Sequence, residues 1–138
     1  MSIRRILLLT AMMAVAMAET SGTWAQGADS ETVTPMMKQS VPEAPGKNVL
    51  MATVAFKPGQ ASEANMHPGS IFAYVLKGHV VSQLEGSAAK TYGPGESWYE
   101  PPGAHHIVAK NASATEPAKL LVFAIAGERD PIKLPIPH

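Results

Sequence analysis

The chain is predicted to be all-β, a sandwich or barrel of short strands, and three observations carry that expectation. From Asn48 onward, β-type runs of three to nine residues recur at short intervals, each closed by Gly, Pro or a polar turn. No stretch beyond the N-terminal apolar segment shows an apolar period of 3.6, so no helix is expected there. Two rigid corners, Gly93-Pro94-Gly95 and Pro101-Pro102-Gly103, bracket one of the strands, with Gly free to take positive φ and Pro fixing its own.

In chain order, the first segment is not part of that fold. Arg4 and Arg5 precede an apolar run from Ile6 to Ala18, too short to span a bilayer comfortably as a permanent helix. This is the layout of a signal peptide, with small-x-small cleavage patterns ending at Ala18 and Ala25. Cleavage after Ala25 is favoured, making residues 1–25 a signal peptide and the mature protein periplasmic or secreted. Residues 26–47 turn to Gly, Ser, Thr, Pro and acids. Pro35, Pro42 and Pro45 exclude a long helix or sheet, so an extended leader is expected, with Val33, Met36, Met37 and Val41 able to lie along a sheet edge.

The barrel is expected over 48–127. Strands are read at Val49 to Phe56, through Asn65 and His67, and at Ile71 to Leu76. The last is expected to form a hairpin with His79 to Leu84 around Lys77-Gly78. Further strands are read at Lys90 to Tyr92, Glu96 to Glu100, His105 to Lys110 and Ala118 to Ala126, the last being apolar enough to be buried on most of its surface. Residues 128–138 form a tail whose prolines bar it from the centre of a sheet.

Composition bounds the chemistry. With 138 residues, 46% of them hydrophobic, the chain has material for one core. Its formal net charge is zero and no run of like charge occurs, which argues against nucleic acid and, after cleavage, against a membrane surface as partner. Cysteine is absent, leaving histidines and carboxylates as the reactive side chains. His105 and His106 are neighbours on a strand, so only one of them can face the interior.

The spacing Gly95, Pro101, Gly103, His106 resembles the second motif of the cupin superfamily, although Lys110 stands where that motif has an Asn and Asn111 follows it. Upstream, Asn65-Met66-His67 through Ile71 to Gly78 resembles the first motif, in which His-x-His precedes a Glu and a Gly turn. The resemblance covers roughly residues 48 to 127. It implies a double-stranded β-helix, the jelly-roll cupin barrel, commonly assembled as a homodimer. It also implies a divalent ion (iron, manganese, nickel, zinc or copper) held in the barrel mouth by two His, a Glu and a further His. Here Asn65 replaces the first His, His67 and His106 are kept, and the Glu falls on Ile71. A carboxamide is a poorer ligand for such metals than imidazole, and Ile offers no donor.

Asn65, His67 and His106 are therefore the expected metal donors and, with Trp98 and Tyr74, the expected ligand-binding residues. Glu63, Glu100 and His105, which adjoins His106, are nearby substitutes for the missing donors, though the two acids are read first as exposed charges and His105, like His79 and His138, as facing solvent. Two functions follow. One is an exported cupin binding a small molecule in the barrel mouth, with any metal site weak. The other is a metal-dependent enzyme of dioxygenase, isomerase or lyase type using His67 and His106 as ligands. The residues leave open whether the protein is catalytic, and fold alone cannot decide.

Overall fold

The computed structural model describes residues 30–137. The expected signal peptide, its cleavage sites, the start of the leader and His138 lie outside the described residues. Ten strands form two antiparallel sheets: β1 (Thr32–Ser40), β2 (Lys47–Phe56), β3 (Asn65–Met66), β4 (Ser70–Lys77), β5 (Val80–Leu84), β6 (Lys90–Tyr92), β7 (Ser97–Glu100), β8 (His105–Asn111), β9 (Ala118–Gly127) and β10 (Leu134–Pro135). One sheet has the order β1-β2-β9-β4-β7 and the other β10-β3-β8-β5-β6. This is the all-β jelly roll that the sequence predicts, with no helix among the described residues.

The chain changes sheet at nearly every turn, which corrects one expectation. β4 and β5 do not form a hairpin: β4 pairs with β7 and β9, whereas β5 pairs with β6 and β8. Gly78 lies between them at φ 71°, and a Cβ there would come within 2.6 Å of the Pro117 carbonyl oxygen, so the turn is a corner pressed against the chain that leads into β9. A two-residue gap reads as a hairpin locally, but each layer needs its own hydrogen-bond partners, and these come from elsewhere in the sequence.

Between the layers lies a core of Phe56, Val75, Val80, Ala109, Ala118 and Leu120, joined by Val54, Tyr92, Trp98 and Val122. Strand alternation selects these side chains. The same alternation corrects the reading of β9 as buried on most of its surface. Ala118, Leu120, Ala124 and Ala126 are buried, but Phe123 and Ile125 point to the other face and are each 38% exposed. β9 is central in its sheet by hydrogen bonding, yet only one face of that sheet is packed within this chain.

The leader and tail both join the sheets. β1 contains Pro35 despite the expectation that proline would exclude a long strand. It is an edge strand, and its register against β2 slips between Pro35 and Met37, so the missing N–H falls at a bulge. β10, with Pro135, is likewise at an edge, paired only with β3.

Candidate functional site

The two corners and the strand pairings gather a polar cluster between the sheets. β7 alternates, sending Ser97 and Tyr99 outward and Trp98 and Glu100 inward. β3 pairs with β8 so that Asn65 stands directly opposite His106, placing both on one face. The Pro101-Gly103 corner is tied to the first motif by a hydrogen bond from the Gly103 N–H to the His67 carbonyl at 2.8 Å. His67, His106 and Asn65 therefore come together as the sequence predicts, and Glu100 sits among them.

Glu100 is 3% exposed, which overturns its reading as a solvated charge. The reason lies in register: Ile71, where the first motif would carry its Glu, is the cross-strand partner of Glu100. The carboxylate lost from β4 is thus present on the same face one strand away. Oε1 of Glu100 accepts a hydrogen bond from the Trp98 indole N–H at 2.8 Å and lies 3.2 Å from His106 Nδ1. Oε2 has no hydrogen-bond partner and faces His67 Nε2 at 3.8 Å. Burial by itself would raise the carboxyl pKa, but the hydrogen bond and charge of His106, with the Trp98 bond and His67 behind them, hold it below its ordinary value.

Both ring nitrogens of His106 are committed. Nδ1 faces Glu100, and Nε2 lies 2.8 Å from Ser82 Oγ, giving a buried chain from Ser82 through His106 to Glu100. A proton on Nδ1 directed at the carboxylate leaves Nε2 to accept from the Ser82 hydroxyl. In His67, Nδ1 faces the backbone carbonyl of Ile132, which can only accept, so Nδ1 carries the hydrogen and Nε2 presents a lone pair toward Glu100. Burial above all pushes the His67 imidazole below its ordinary pKa, against the Ile132 carbonyl and the Glu100 charge, so His67 is neutral at neutral pH. Asn65 donates from Nδ2 to the Glu63 carbonyl at 2.8 Å, and its Oδ1, buried, has no partner.

The remaining expected residues divide. Trp98 belongs to the cluster through its indole N–H and packs on Tyr92 and edge-on to His106. Tyr74 does not. It is 44% exposed on the outer face of its sheet, because its neighbours Ala73 and Val75 take the inward positions. There, with Phe72, Tyr99 and Phe123, it lines a shallow depression of about 360 Å³. Glu63 is exposed and reaches the site only through its backbone. His79 is exposed, and His105 turns away from the cluster to pair with the exposed Glu85 at 2.8 Å. Ser82 and the Ile132 carbonyl were not readable as site groups. Ser82 looks like any polar strand residue until β5 is set beside β8, and a backbone carbonyl carries no sequence signal.

The set does not fit a divalent transition metal in this arrangement. His106 has no free nitrogen, Ile71 supplies nothing, and among the described residues no group of three or more His, Asp or Glu could hold a metal ion.

A search of curated protein sequences returned no match. Among solved structures, the chain is similar to the DMSP lyase DddQ from Ruegeria pomeroyi DSS-3, with TM-score 0.64 and 21% identity over 80% of this chain and 55% of that one. It is also similar to TT1209 from Thermus thermophilus, with TM-score 0.57 and 30% identity over 71% of this chain and 85% of that one. A third similar structure is an oxalate oxidase in complex with glycolate, with TM-score 0.59 and 24% identity over 80% of this chain and 63% of that one. The chain spans about half the length of the two DMSP lyase structures it matches, 55% and 44%. The cupin domain family model matches residues 52–124, which hold β4 through β8 entire and every side chain of the polar cluster, so this chain belongs to the cupin family.

Proposed function

We propose that this protein is an exported cupin that binds a small molecule in the barrel mouth, at the cluster formed by Asn65, His67, Glu100 and His106. The observation that carries the reading is the pair of buried, unpartnered oxygens, Asn65 Oδ1 and Glu100 Oε2, in the same cluster as the unbonded Nε2 of His67. A buried acceptor without a partner costs about 1–3 kcal/mol, and a bound molecule that donates to it recovers that loss. Export is supported by Arg4-Arg5 and the apolar run behind them. Among the described residues no helix is long and apolar enough to cross a membrane. Mass spectrometry of small molecules released from protein purified from its native compartment tests the reading. A stoichiometric compound is expected, lost in Glu100→Leu; its absence from the wild type removes the proposal.

A catalytic reading has one observation in its favour, the Ser82, His106, Glu100 chain, in which a carboxylate orients an imidazole that accepts from a hydroxyl. The lyase and the oxidase among the similar structures make enzymatic use of this barrel a real alternative. A metal-dependent form of it requires His106 to release Ser82 or Glu100. Titration of manganese or nickel into metal-free protein distinguishes the readings, because the binding reading expects no tight site.

The homodimer belongs to the same proposal. On the outer face of the β1-β2-β9-β4-β7 sheet, one cross-strand row reads Met37, Met51, Phe123, Phe72, Tyr99, each opposite the next. Four of these are large apolar side chains 38% to 53% exposed, and Tyr74 and Ile125 beside them are exposed too. Strands about 4.8 Å apart rising about 3.4 Å per residue give this face about 650 Å² per copy. Two copies face to face thus remove about 1,300 Å², above the roughly 1,000 Å² of a specific interface.

A further inference from the structure

The chemical class of the ligand can be read from which atoms of the cluster are spent. This step rests on the binding reading above. Nearly every donor there is engaged: the Trp98 N–H and His106 Nδ1 by Glu100 Oε1, one N–H of the Asn65 amide by the Glu63 carbonyl, His67 Nδ1 by the Ile132 carbonyl, and the Ser82 hydroxyl by His106 Nε2, which leaves the second Asn65 N–H. Apart from that N–H, what remains is acceptor: Asn65 Oδ1, Glu100 Oε2 and the Nε2 lone pair of His67. Asn65 and Glu100 are respectively 5% and 3% exposed, so solvent does not satisfy them freely. Asn65 Oδ1 shares the His106 face by register, and Glu100 Oε2 and His67 Nε2 face each other at 3.8 Å, two acceptors with nothing to exchange. At 3.8 Å the two atoms do not bond each other directly, and a ligand nitrogen placed beside the gap could sit within about 2.8 Å of both, the ordinary length of a charge-assisted bond.

Charge points the same way. No Lys or Arg is among the buried residues described; Lys133, next to Ile132, bonds Glu31 at 2.7 Å, and its charge reaches His67 only as a minor influence behind burial and Glu100. A carboxylate ligand would meet the Glu100 charge and three lone pairs, with one Asn65 N–H and no buried cationic side chain to offset them. We infer that the cluster is a binding site for a small primary ammonium group, donating to His67 Nε2, Glu100 Oε2 and Asn65 Oδ1, and that it rejects small dicarboxylates.

Nuclear magnetic resonance of the Trp98 indole N–H tests the inference, because that group bonds the other oxygen of Glu100 and reports on its occupancy. Methylammonium chloride is titrated against potassium chloride, potassium oxalate and manganese chloride as separate arms at equal ionic strength. A saturable shift with methylammonium, absent with potassium chloride and oxalate, is expected. Glu100→Gln should weaken it by about tenfold or more, the size of a lost charge-assisted bond. Asn65→Asp should tighten it, a gain that misfolding cannot produce. Saturation by oxalate and not by methylammonium overturns the inference while leaving small-molecule binding in place. So does manganese broadening of the Trp98 signal that methylammonium cannot displace. Silence in every arm overturns the inference; if a co-purifying compound is also absent, the binding reading falls with it.

Discussion

Glu100 shows how far one residue's environment can depart from what its type suggests. Surrounded in sequence by Tyr99 and Pro101, it reads as a charge at a turn, yet it is buried and held ionised by His106 and Trp98. That has a pH consequence. The folded pKa of Glu100 lies below its unfolded one, so its contribution is complete above the ordinary carboxylate range and is lost as pH falls through the folded value. His67 is also lowered, so the unfolded chain takes up that proton first, and stability begins to drop once pH passes below the ordinary His value of about 6.5. Thermal melts are therefore expected to fall in two stages on acidification, and His67→Gln should flatten the first. A melting temperature level from pH 7 to pH 5 in the wild type would contradict this. Gly69 makes a purely steric prediction. A Cβ there would stand 1.8 Å from the Ile125 carbonyl oxygen, so β4 can begin alongside β9 only with Gly at that position. Gly69→Ala should cost about 3 kcal/mol, a drop on the order of 10 °C in melting temperature.

At the level of elements, the tail acts as a clasp on the strand that carries the site. Leu134 and Pro135 pair with Met66 and Asn65, the Ile132 carbonyl fixes the tautomer of His67, and Lys133 bonds the buried Glu31. The prolines that bar this segment from a sheet centre leave it suited to an edge. Ending the chain after Asp130 removes all of these contacts at once. Because burial is the largest influence on His67, its pKa should rise toward the ordinary value in that variant, read from its ring C–H shift against pH. An unchanged titration would show that the tail does not shield the site.

For the whole molecule, the apolar row across five strands lies open on the outer face of this chain, and pairing of two copies would cover it. Phe123→Lys, at the centre of that row, should raise the dimer dissociation constant by about a hundredfold. Sedimentation of wild type and variant over a micromolar range checks it. A wild type already monomeric throughout that range would remove the dimer proposal and leave the row unexplained.

Turn chemistry and the two-residue alternation of strands are local properties, so the sequence by itself determined the all-β class, the two Gly-Pro corners and nearly every strand boundary between Lys47 and Gly127. It also determined that His67 and His106 meet, because the spacing of the two motifs carries that information through the family likeness. Register and layer are not local. Which strand lies beside which is decided by long-range pairing, and only the tertiary structure put β4 and β5 in different sheets, turned Tyr74 outward, and set Glu100 opposite Ile71. The same holds for Ser82 and the Ile132 carbonyl. Their chemistry at the site comes from neighbours distant in the chain, and no pattern within their own strands announces it.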